Sequence, residues 1–245
     1  MKILSIDTSG QQANAAIMES VQDNYIVIGE INLNARTGEK SWTHSEILMP
    51  GIDRLFHLTG INSQDIDYIA YTNGPGSFTG LRIGASTALG LAKGLNKPTI
   101  AVPTLDALAY NMLYSANSGL VVPMMDARRG QVYSAVYAPG EDGKLIRESE
   151  YMAISVEELI QVGSVRTHLN IYFLGDGACA NRDFLQTALP HAVFASSNNN
   201  RQRASSAGIW AMEQIQAGFI PTDTVEILYV RAPQAVQDLA KKQES

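Results

Sequence analysis

The chain has 245 residues, 45% of them hydrophobic, and a formal net charge of −6. This length can bury a substantial core, either as one two-lobed unit or as two small domains. A protein that holds nucleic acid by itself normally carries a basic stripe, because phosphate contacts dominate affinity. The acidic balance of this chain argues against that class of protein.

No stretch reaches the ~20 uninterrupted apolar residues that a membrane span needs. The amino terminus opens on a strand-like segment and lacks the longer apolar region of a signal peptide. The single cysteine, Cys179, excludes an intramolecular disulfide and a cysteine-based zinc site. We therefore expect a cytoplasmic protein without membrane contact.

The first strands predict a hairpin with an acidic residue at its tip. A strand over residues 2–6 ends at Asp7, and an apolar run over residues 13–18 follows after a short polar turn. A third strand, over residues 25–33, shows partial alternation of apolar and polar side chains. These segments favour an antiparallel start to a sheet.

A capped helix comes next. Thr43 and Glu46 have the spacing of a capping box, and an apolar face at helical spacing follows them as far as Gly60. A buried strand is then predicted over residues 66–72. It runs into the most distinctive stretch of the chain, residues 73–84.

That stretch joins the strand to a helix through a tight reversal, here called the glycine corner, residues 74–77. Pro75 fixes its own φ, while Gly74 and Gly76 tolerate positive φ. Ser77 or Thr79 can cap the helix that follows. On spacing alone, an ordinary strand–turn–helix corner of an α/β core explains the same residues.

The helix over residues 80–95 is unusually small on one side. Gly80, Gly84 and Ala88 recur at four-residue spacing. Each interior glycine costs about 1 kcal/mol of helix propensity relative to alanine. The pattern therefore predicts close approach by another element, which can be another chain.

Near the middle of the chain the opening pattern recurs. A strand over residues 120–125 ends at Asp126, and a tight turn leads to a second strand over residues 131–137, as at Asp7. Strand, glycine turn and helix recur once more over residues 171–189. Two repeated halves are the economical interpretation, although aspartate is common in turns and chance recurrence stays open.

Other segments link and close these halves. A strand over residues 98–102 and a helix over residues 105–114 join them. A helix that ends near Gly218 and an extended piece over residues 226–230 complete the chain. The order of elements is that of an α/β protein with a duplicated actin-like fold, in which two acidic hairpins face each other across a cleft.

The residues offer little support for catalysis. The histidines at positions 44, 57, 168 and 191 have no spacing that puts two on one helical turn, so no metal site is predicted. Gly-x-Ser-x-Gly does not occur, and Ser86, within the nearest approach to it, lies inside a helix and is interpreted as a packing residue. We therefore predict no catalytic residue.

A nucleotide site is also weakly supported. The dinucleotide fingerprint and the P-loop are both incomplete around the glycine corner. Asp7 and Asp126 can orient a hydrated Mg²⁺ beside a nucleotide if a cleft between them is open. Only Gly10 follows Asp7 closely enough to let backbone cradle phosphate, so a turn with a solvent-facing carboxylate is the favoured interpretation of each aspartate.

Residues 74–84 read Gly-Pro-Gly-Ser-Phe-Thr-Gly-Leu-Arg-Ile-Gly. This run resembles the hallmark of the bacterial TsaB (YeaZ-like) family, accessory subunits in threonylcarbamoyladenosine modification of tRNA. Segments at residues 6–9, 44–46, 102–109 and 125–133 also resemble that family. The resemblance weakens after about residue 140.

The resemblance implies a duplicated actin-like ATPase (ASKHA) fold, with a mixed sheet and packed helices in each of two lobes. The N-terminal lobe, with the dimerisation helices, is expected over residues 1–104 and the C-terminal lobe over residues 105–233. A polar tail is expected over residues 234–245.

The implied function is that of a non-catalytic scaffold, not an enzyme on its own. It would form a heterodimer with TsaD, assemble with TsaE, and be required for threonylcarbamoyl transfer to the tRNA adenosine beside the anticodon. Alone, the chain is expected to form a homodimer without a cofactor and to meet tRNA only indirectly. ATP or ADP at the heterodimer junction is a further expectation.

Three groups of site residues follow from the resemblance. The partner interface is expected at His44, Glu46, Leu48, Gly80, Leu81, Gly84, Thr87, Ala88 and Leu91. The glycine-corner loop comprises Gly74, Pro75, Gly76, Ser77, Thr79 and Arg82. A vestigial nucleotide cleft would include Asp7, Thr8 and Asp126.

Two of these residues need comment. In the catalytic sister family, TsaD, the helix equivalent to that of His44 carries two metal-binding histidines four residues apart, whereas here Leu48 stands at the second position. His44 is therefore interpreted as a helix-start residue without a ligand role. Arg82 is interpreted as a loop anchor that donates to carbonyls of the glycine corner.

Two other classes of function stay open. A stand-alone actin-like ATPase or kinase needs an open nucleotide cleft and turnover of its own. A glycoprotease-like hydrolase would depend on Ser77 or Ser86 as nucleophile.

Overall fold

The computed structural model describes residues 1–22, 24–34, 36–37, 40–113, 115, 119–163, 169–221 and 224–231. The polar tail expected over residues 234–245 and the histidine at position 168 lie outside these ranges. Among the described helices, none is long and apolar enough to cross a membrane.

The first half of the chain builds one sheet and the helices beside it. In chain order its elements are β1 (Lys2–Asp7), β2 (Gln12–Val21), β3 (Asn24–Asn34), β4 (Arg36–Thr37), β5 (Lys40–Ser41), α1 (His44–Thr59), β6 (Tyr68–Gly74), α2 (Phe78–Leu95), β7 (Thr99–Pro103) and α3 (Thr104–Ala109). The strand predicted over residues 66–72 is thus shifted by two residues. It continues through Gly74 because that residue still pairs with Pro103 of β7.

The second half builds another sheet, and its last helix returns to the first. Its elements are β8 (Gly119–Asp126), β9 (Gln131–Ser134), β10 (Tyr137–Pro139), β11 (Leu145–Arg147), β12 (Met152–Ser155), α4 (Val156–Gly163), β13 (Asn170–Leu174), α5 (Asp176–Ala180), α6 (Arg182–Ala188), β14 (Ala192–Phe194) and α7 (Ala204–Gln216). The strand predicted over residues 131–137 is broken into β9 and β10, because β8 pairs with both at different points.

The two sheets repeat one pairing pattern. In the first, the order is β3-β2-β1-β6-β7, with β1 antiparallel to β2 and parallel to β6. In the second, β12-β9-β8-β13-β14 follows the same order, with β8 antiparallel to β9 and parallel to β13. The predicted repeat of strand, aspartate, turn and strand therefore corresponds to the antiparallel half of each sheet.

The first sheet is covered on both faces. Leu4 and Ile6 of β1 lie in one cluster with apolar residues of α1 and α2, while Ile3 lies in another with residues of α7. A strand covered on both faces is rich in apolar residues, as β1 is with Ile3, Leu4 and Ile6. Because α7 packs on the first sheet, the chain crosses back after building the second. The boundary expected at residue 104 stays a prediction.

Helix α1 begins and ends as predicted. The Thr43 backbone N–H donates to Glu46 Oε2 over 2.7 Å, and the capping box is complete. At the other end Gly60 adopts φ 67°, the left-handed conformation that glycine tolerates best. The helix buries Leu48, Ile52 and Leu55 against the sheet.

Helix α2 is fixed to the end of β1 by its small residues. A Cβ atom at Gly80 would overlap the carbonyl oxygen of Thr8, and one at Gly84 would overlap Thr8 Oγ1. Thr8 Oγ1 also donates to the Gly80 carbonyl over 2.8 Å. A close approach of the predicted kind is made within the chain, by Thr8 in the turn after β1.

We expect Gly80→Ala to destabilise the fold by about 2–3 kcal/mol, because the added methyl group meets a backbone carbonyl that cannot rotate away. Gly90→Ala, in the same helix but with open space around its Cβ position, is the control. That change should stabilise by up to about 1 kcal/mol through helix propensity. Urea unfolding measures both, and equal stability of the two variants would contradict the packing described.

Candidate functional site

The carboxyl end of β1 holds a buried acid. Asp7 is 1% exposed, and its Oδ1 accepts hydrogen bonds from Ser9 N–H at 2.9 Å, Ser9 Oγ at 2.6 Å and Thr72 Oγ1 at 3.0 Å. Its Oδ2 is also buried and has no hydrogen-bond partner within the described residues. The solvent-facing carboxylate expected here is therefore wrong for Asp7, because β1 is a central strand covered on both faces.

Burial raises the pKa of the Asp7 carboxyl, since the charged form loses its hydration. The hydrogen bonds from Ser9 and Thr72, together with the electrostatic influence of His44, lower it by less. His44 is half-buried at the start of α1, and its Nε2 finds no hydrogen-bond partner in the described part of the chain. Asp7 is thus positioned as a structural acid of the interior.

The backbone that follows Asp7 is occupied by contacts within the chain. Ser9 O accepts from Ser77 N–H at 2.7 Å, and a Cβ at Gly76 would stand only 2.6 Å from that same oxygen. A Cβ at Gly10 would meet Gln202 Oε1 at 2.8 Å. The turn after β1 is therefore closed over by α2 and by the segment before α7.

Asp126, at the equivalent end of β8, is exposed as expected. Its Oδ1 accepts from the Arg128 N–H at 2.7 Å, and its own N–H donates to Asp176 Oδ1 at 3.0 Å. The turn then passes through Arg128, Arg129 and Gly130, all with positive φ. The two repeated aspartates thus have opposite surroundings.

No three His, Cys, Asp or Glu side chains converge into a metal site in the portion of the chain that the structure describes. Ser77 Oγ accepts from Gly80 N–H at 3.2 Å as the N-cap of α2. Ser86 is exposed in mid-helix, so its interpretation as a packing residue is wrong. Ser86 lies away from any strand-to-helix turn, and Ser77, although it stands in the turn from β6 to α2, caps the helix and lacks the Gly-x-Ser-x-Gly pattern of an esterase nucleophile.

The glycine corner receives the last described segment of the chain. Gly74 has φ 125°, and a Cβ there would overlap the carbonyl oxygen of Leu228. The Leu228 N–H donates to Asn73 O at 2.8 Å. Pro75 is buried, and the Gly74–Pro75 peptide is cis.

Arg82 has other partners than the corner carbonyls predicted for it. Its guanidinium lies 3.8 Å from the centroid of the Phe78 ring, and Nη2 is 3.4 Å from Tyr229 Oη. The reason is geometric, because position 82 lies on the exposed side of α2, one turn after Phe78. Arg82 therefore links Phe78 and Tyr229 on the surface of α2.

The residues expected at the partner interface divide between the interior and the surface. Those buried within the chain are Leu48, Gly80, Leu81, Gly84 and Ala88. Glu46 is exposed and caps α1, whereas Thr87 and Leu91 are half-buried on α2. Leu48 is buried beneath α1 and the other four beneath α2, and the part of all these residues in a partner interface stays a prediction.

A shallow depression runs along the outer side of α2, here called the outer face. Its lining residues are Phe78, Thr79, Arg82, Ile83, Ser86 and Thr87. Phe78 is 44% exposed, as is Met49 on neighbouring α1. Sequence reasoning missed Phe78, Ile83 and Ser86, although their spacing of three to five residues places them along one side of a helix.

Two buried acids outside this site hold distant segments of the chain together. Asp106 of α3 accepts hydrogen bonds from Tyr137 and Tyr151, and Tyr110 donates to Glu213 of α7 at 2.6 Å. Burial raises the pKa of Asp106 and of Glu213. The Asp106 contacts join α3 to the second half of the molecule, whereas the Tyr110–Glu213 pair joins the segment after α3 to α7.

The chain is similar to proteins of known families. The model of the family described as TsaD: tRNA N6-adenosine threonylcarbamoyltransferase matches residues 38–234. The tRNA threonylcarbamoyladenosine biosynthesis protein TsaB of Escherichia coli K12 is 34% identical over 143 residues, 58% of each chain. The chain thus spans a little over half the length of that relative.

Two longer matches cover nearly all of the chain. TsaB of Haemophilus influenzae is 25% identical over 234 residues, 94% of this chain and 91% of the relative. The solved structure of YeaZ from Pseudomonas aeruginosa superposes with a TM-score of 0.73 at 22% identity, covering 93% of this chain and 99% of that one. The predicted two-lobed, actin-like α/β fold is thereby confirmed.

The buried carboxyl predicts a pH dependence of stability. Because the folded pKa of Asp7 lies above the unfolded value of about 3.9, the native state holds its proton more tightly. The contribution of Asp7 is therefore full below pH ~4 and is lost as pH rises through the folded pKa, by at most about 1.4 kcal/mol per pH unit.

Asp7→Asn should remove this part of the slope, while Asp53→Asn, at an exposed position on α1, should leave it unchanged. Urea unfolding at a series of pH values measures the difference, and the comparison cancels the contributions of Asp106 and Glu213. Identical slopes for wild type and Asp7→Asn would exclude the buried acid described.

Proposed function

The chain belongs to the TsaB family, within the wider family described as tRNA N6-adenosine threonylcarbamoyltransferase, and we propose that it acts in tRNA threonylcarbamoyladenosine biosynthesis. In this proposal it is a non-catalytic partner that forms a heterodimer with a TsaD homologue. Together with a TsaE homologue, the heterodimer carries out threonylcarbamoyl transfer to the tRNA adenosine beside the anticodon.

The outer face of α2 is the observation that carries the partner role. Every residue that lines the depression comes from α2, so the depression is open and needs another element to close it. Its members combine an exposed ring, Phe78, with the half-buried Ile83 and Thr87. Such a face suits a helix of a second protein, which buries apolar surface between polar rims.

The inner side of α2 makes this face rigid. Gly80 and Gly84 rest on Thr8, and Ser77 caps the helix. A surface held in place before binding loses less entropy when a partner associates. We propose that the TsaD homologue binds here and that, in its absence, a second copy of the chain takes the same face.

The residues after Asp7 do not fit a phosphate group. Ser9 N–H donates to Asp7, Ser9 O accepts from Ser77, and Gln202 stands over Gly10. A phosphate cradle needs backbone N–H groups directed at the ligand. This supports a chain that binds no nucleotide alone, with ATP or ADP, where required, held at the junction with the TsaD homologue.

The charge of the chain agrees with an indirect role toward tRNA. A net charge of −6 repels phosphates, so tRNA contacts would belong to the other subunits. The proposed place of action is the cytoplasm, where tRNA is modified. In this proposal the chain contributes the outer face of α2, to which the TsaD homologue binds.

Asp126 favours the one alternative that we retain, a stand-alone actin-like ATPase. It is exposed at the carboxyl end of a parallel strand, the edge of the sheet at which α/β proteins commonly bind ligands. A carboxylate there can orient hydrated Mg²⁺. The buried state of Asp7 argues against it, since an ATPase of this fold would use both acids.

We expect Ser86→Arg to weaken both heterodimer and homodimer formation at least tenfold, because a long cation would fill the depression on α2. Gln186→Arg, at an exposed position on α6 that does not line the depression, adds the same charge and is the control. Sedimentation of each variant, alone and mixed with the TsaD homologue, gives the association constants.

Both positions are exposed, so both variants should melt as wild type does. Association of Ser86→Arg as tight as that of Gln186→Arg would remove the outer face from the interface. If the wild-type chain did not bind the TsaD homologue, the proposed partner role would be refuted.

The isolated chain should hydrolyse no ATP, and Asp126→Asn should leave that background unchanged. A phosphate-release assay with Mg²⁺ and ATP measures turnover before and after adding the TsaD homologue. Turnover by the chain alone that Asp126→Asn abolishes would replace the scaffold proposal with the ATPase.

A further inference from the structure

Residues 225–231, here called the strap, run from the first sheet toward the second. At one end Val225 and Ile227 pack against the core between the first sheet, α1 and α2. The Glu226 N–H donates to Tyr71 Oη at 3.1 Å, and the Leu228 N–H donates to Asn73 O. This half of the strap is therefore fixed along the end of β6.

Glycine at position 74 allows this docking. A side chain there would overlap the carbonyl oxygen of Leu228, and its φ of 125° disfavours any other residue. Tyr229 directly follows Leu228. Its ring centroid lies 5.9 Å from that of Phe78, and its hydroxyl accepts from Arg82 Nη2. Tyr229 is 41% exposed and extends the outer face of α2.

The other end of the strap is held by the second half of the molecule. Arg231 Nη1 donates to Ala127 O at 3.2 Å, and Nη2 donates to Gln131 Oε1. Its guanidinium also lies 5.9 Å from the centroid of the Tyr133 ring. These partners lie in the turn and strand that follow Asp126. The position of Arg231 therefore depends on the position of the β8–β9 hairpin.

The strap is short enough to transmit that position. An extended chain spans about 3.3–3.6 Å per residue, so the three steps from Leu228 to Arg231 cover roughly 10 Å. Leu228 is fixed to the glycine corner and Arg231 to the second hairpin, with Tyr229 between them. A shift of the hairpin therefore pulls on Tyr229 or breaks one of the anchors.

We propose that the strap couples the two lobes to the partner surface, with Arg231 as a positioning residue that sets where Tyr229 stands on the outer face of α2. The coupling itself rests on the fold, while its consequence for binding rests on the proposed function. In that role Tyr229 contributes its ring to a helix of the TsaD homologue, and the second lobe tunes the affinity.

Hydrogen exchange of the Leu228 amide in the full chain tests the coupling without any partner. Arg231→Ala should raise its exchange rate on the order of tenfold, because hydrogen bonds to a charged donor hold that end of the strap. Gln131→Ala, which removes a partner and keeps the arginine, should act in the same direction. The double variant should add little beyond Arg231→Ala.

Arg201→Ala, which removes an exposed arginine from the segment before α7, is the matched control and should leave the exchange rate unchanged. Unchanged exchange of Leu228 in Arg231→Ala would overturn the coupling, provided that the amide is protected in wild type. An unprotected amide in wild type would overturn it as well.

Affinity for the TsaD homologue tests the second step. Tyr229→Ala should weaken binding about tenfold and Arg231→Ala by a smaller factor, whereas Tyr229→Phe, which keeps the ring, should bind nearly as wild type. Wild-type affinity in Tyr229→Ala would remove Tyr229 from the surface. Wild type that does not bind at all would refute the proposed function and leave the exchange result standing.

Discussion

The contact between Thr8 and helix α2 is the constraint on which the first lobe depends. Gly80 and Gly84 bring the helix so close that the threonine carbonyl and hydroxyl lie where side chains would otherwise stand. This proximity explains two interior glycines that cost helix propensity. It also aligns the glycine corner above the turn after β1, where Ser9 and Ser77 meet through their backbones.

This contact determines which side of α2 is buried and which side is exposed. The inner side of α2 belongs to the fold, so only the outer face is available for a second protein. The turn after Asp7, which an ATPase of this architecture would open to phosphate, is filled by the same packing. One close approach thus supports a binding role and argues against nucleotide chemistry in the isolated chain.

The two copies of the repeat share a topology but differ in the surroundings of their aspartates. Asp7 and Asp126 close equivalent strands, yet the first is buried and the second is exposed. Helices α1, α2 and α7 cover the first sheet on both faces, whereas Asp126 and residues 128–130 of the β8–β9 turn are exposed. Arg231 and the buried Asp106–Tyr137 pair then tie the two halves together.

Local patterns of spacing, turns and motif predicted most of the elements, the repeat, the capped helix α1 and the family, but not β11, β12 or α4. The contacts between distant segments came from the three-dimensional structure alone: which element approaches the glycines of α2, that Asp7 is buried, and that Arg82 meets Phe78 and Tyr229. Spacing shows that a face is small but not what lies against it. Contacts between residues 8 and 80, or 82 and 229, depend on how distant segments fold together.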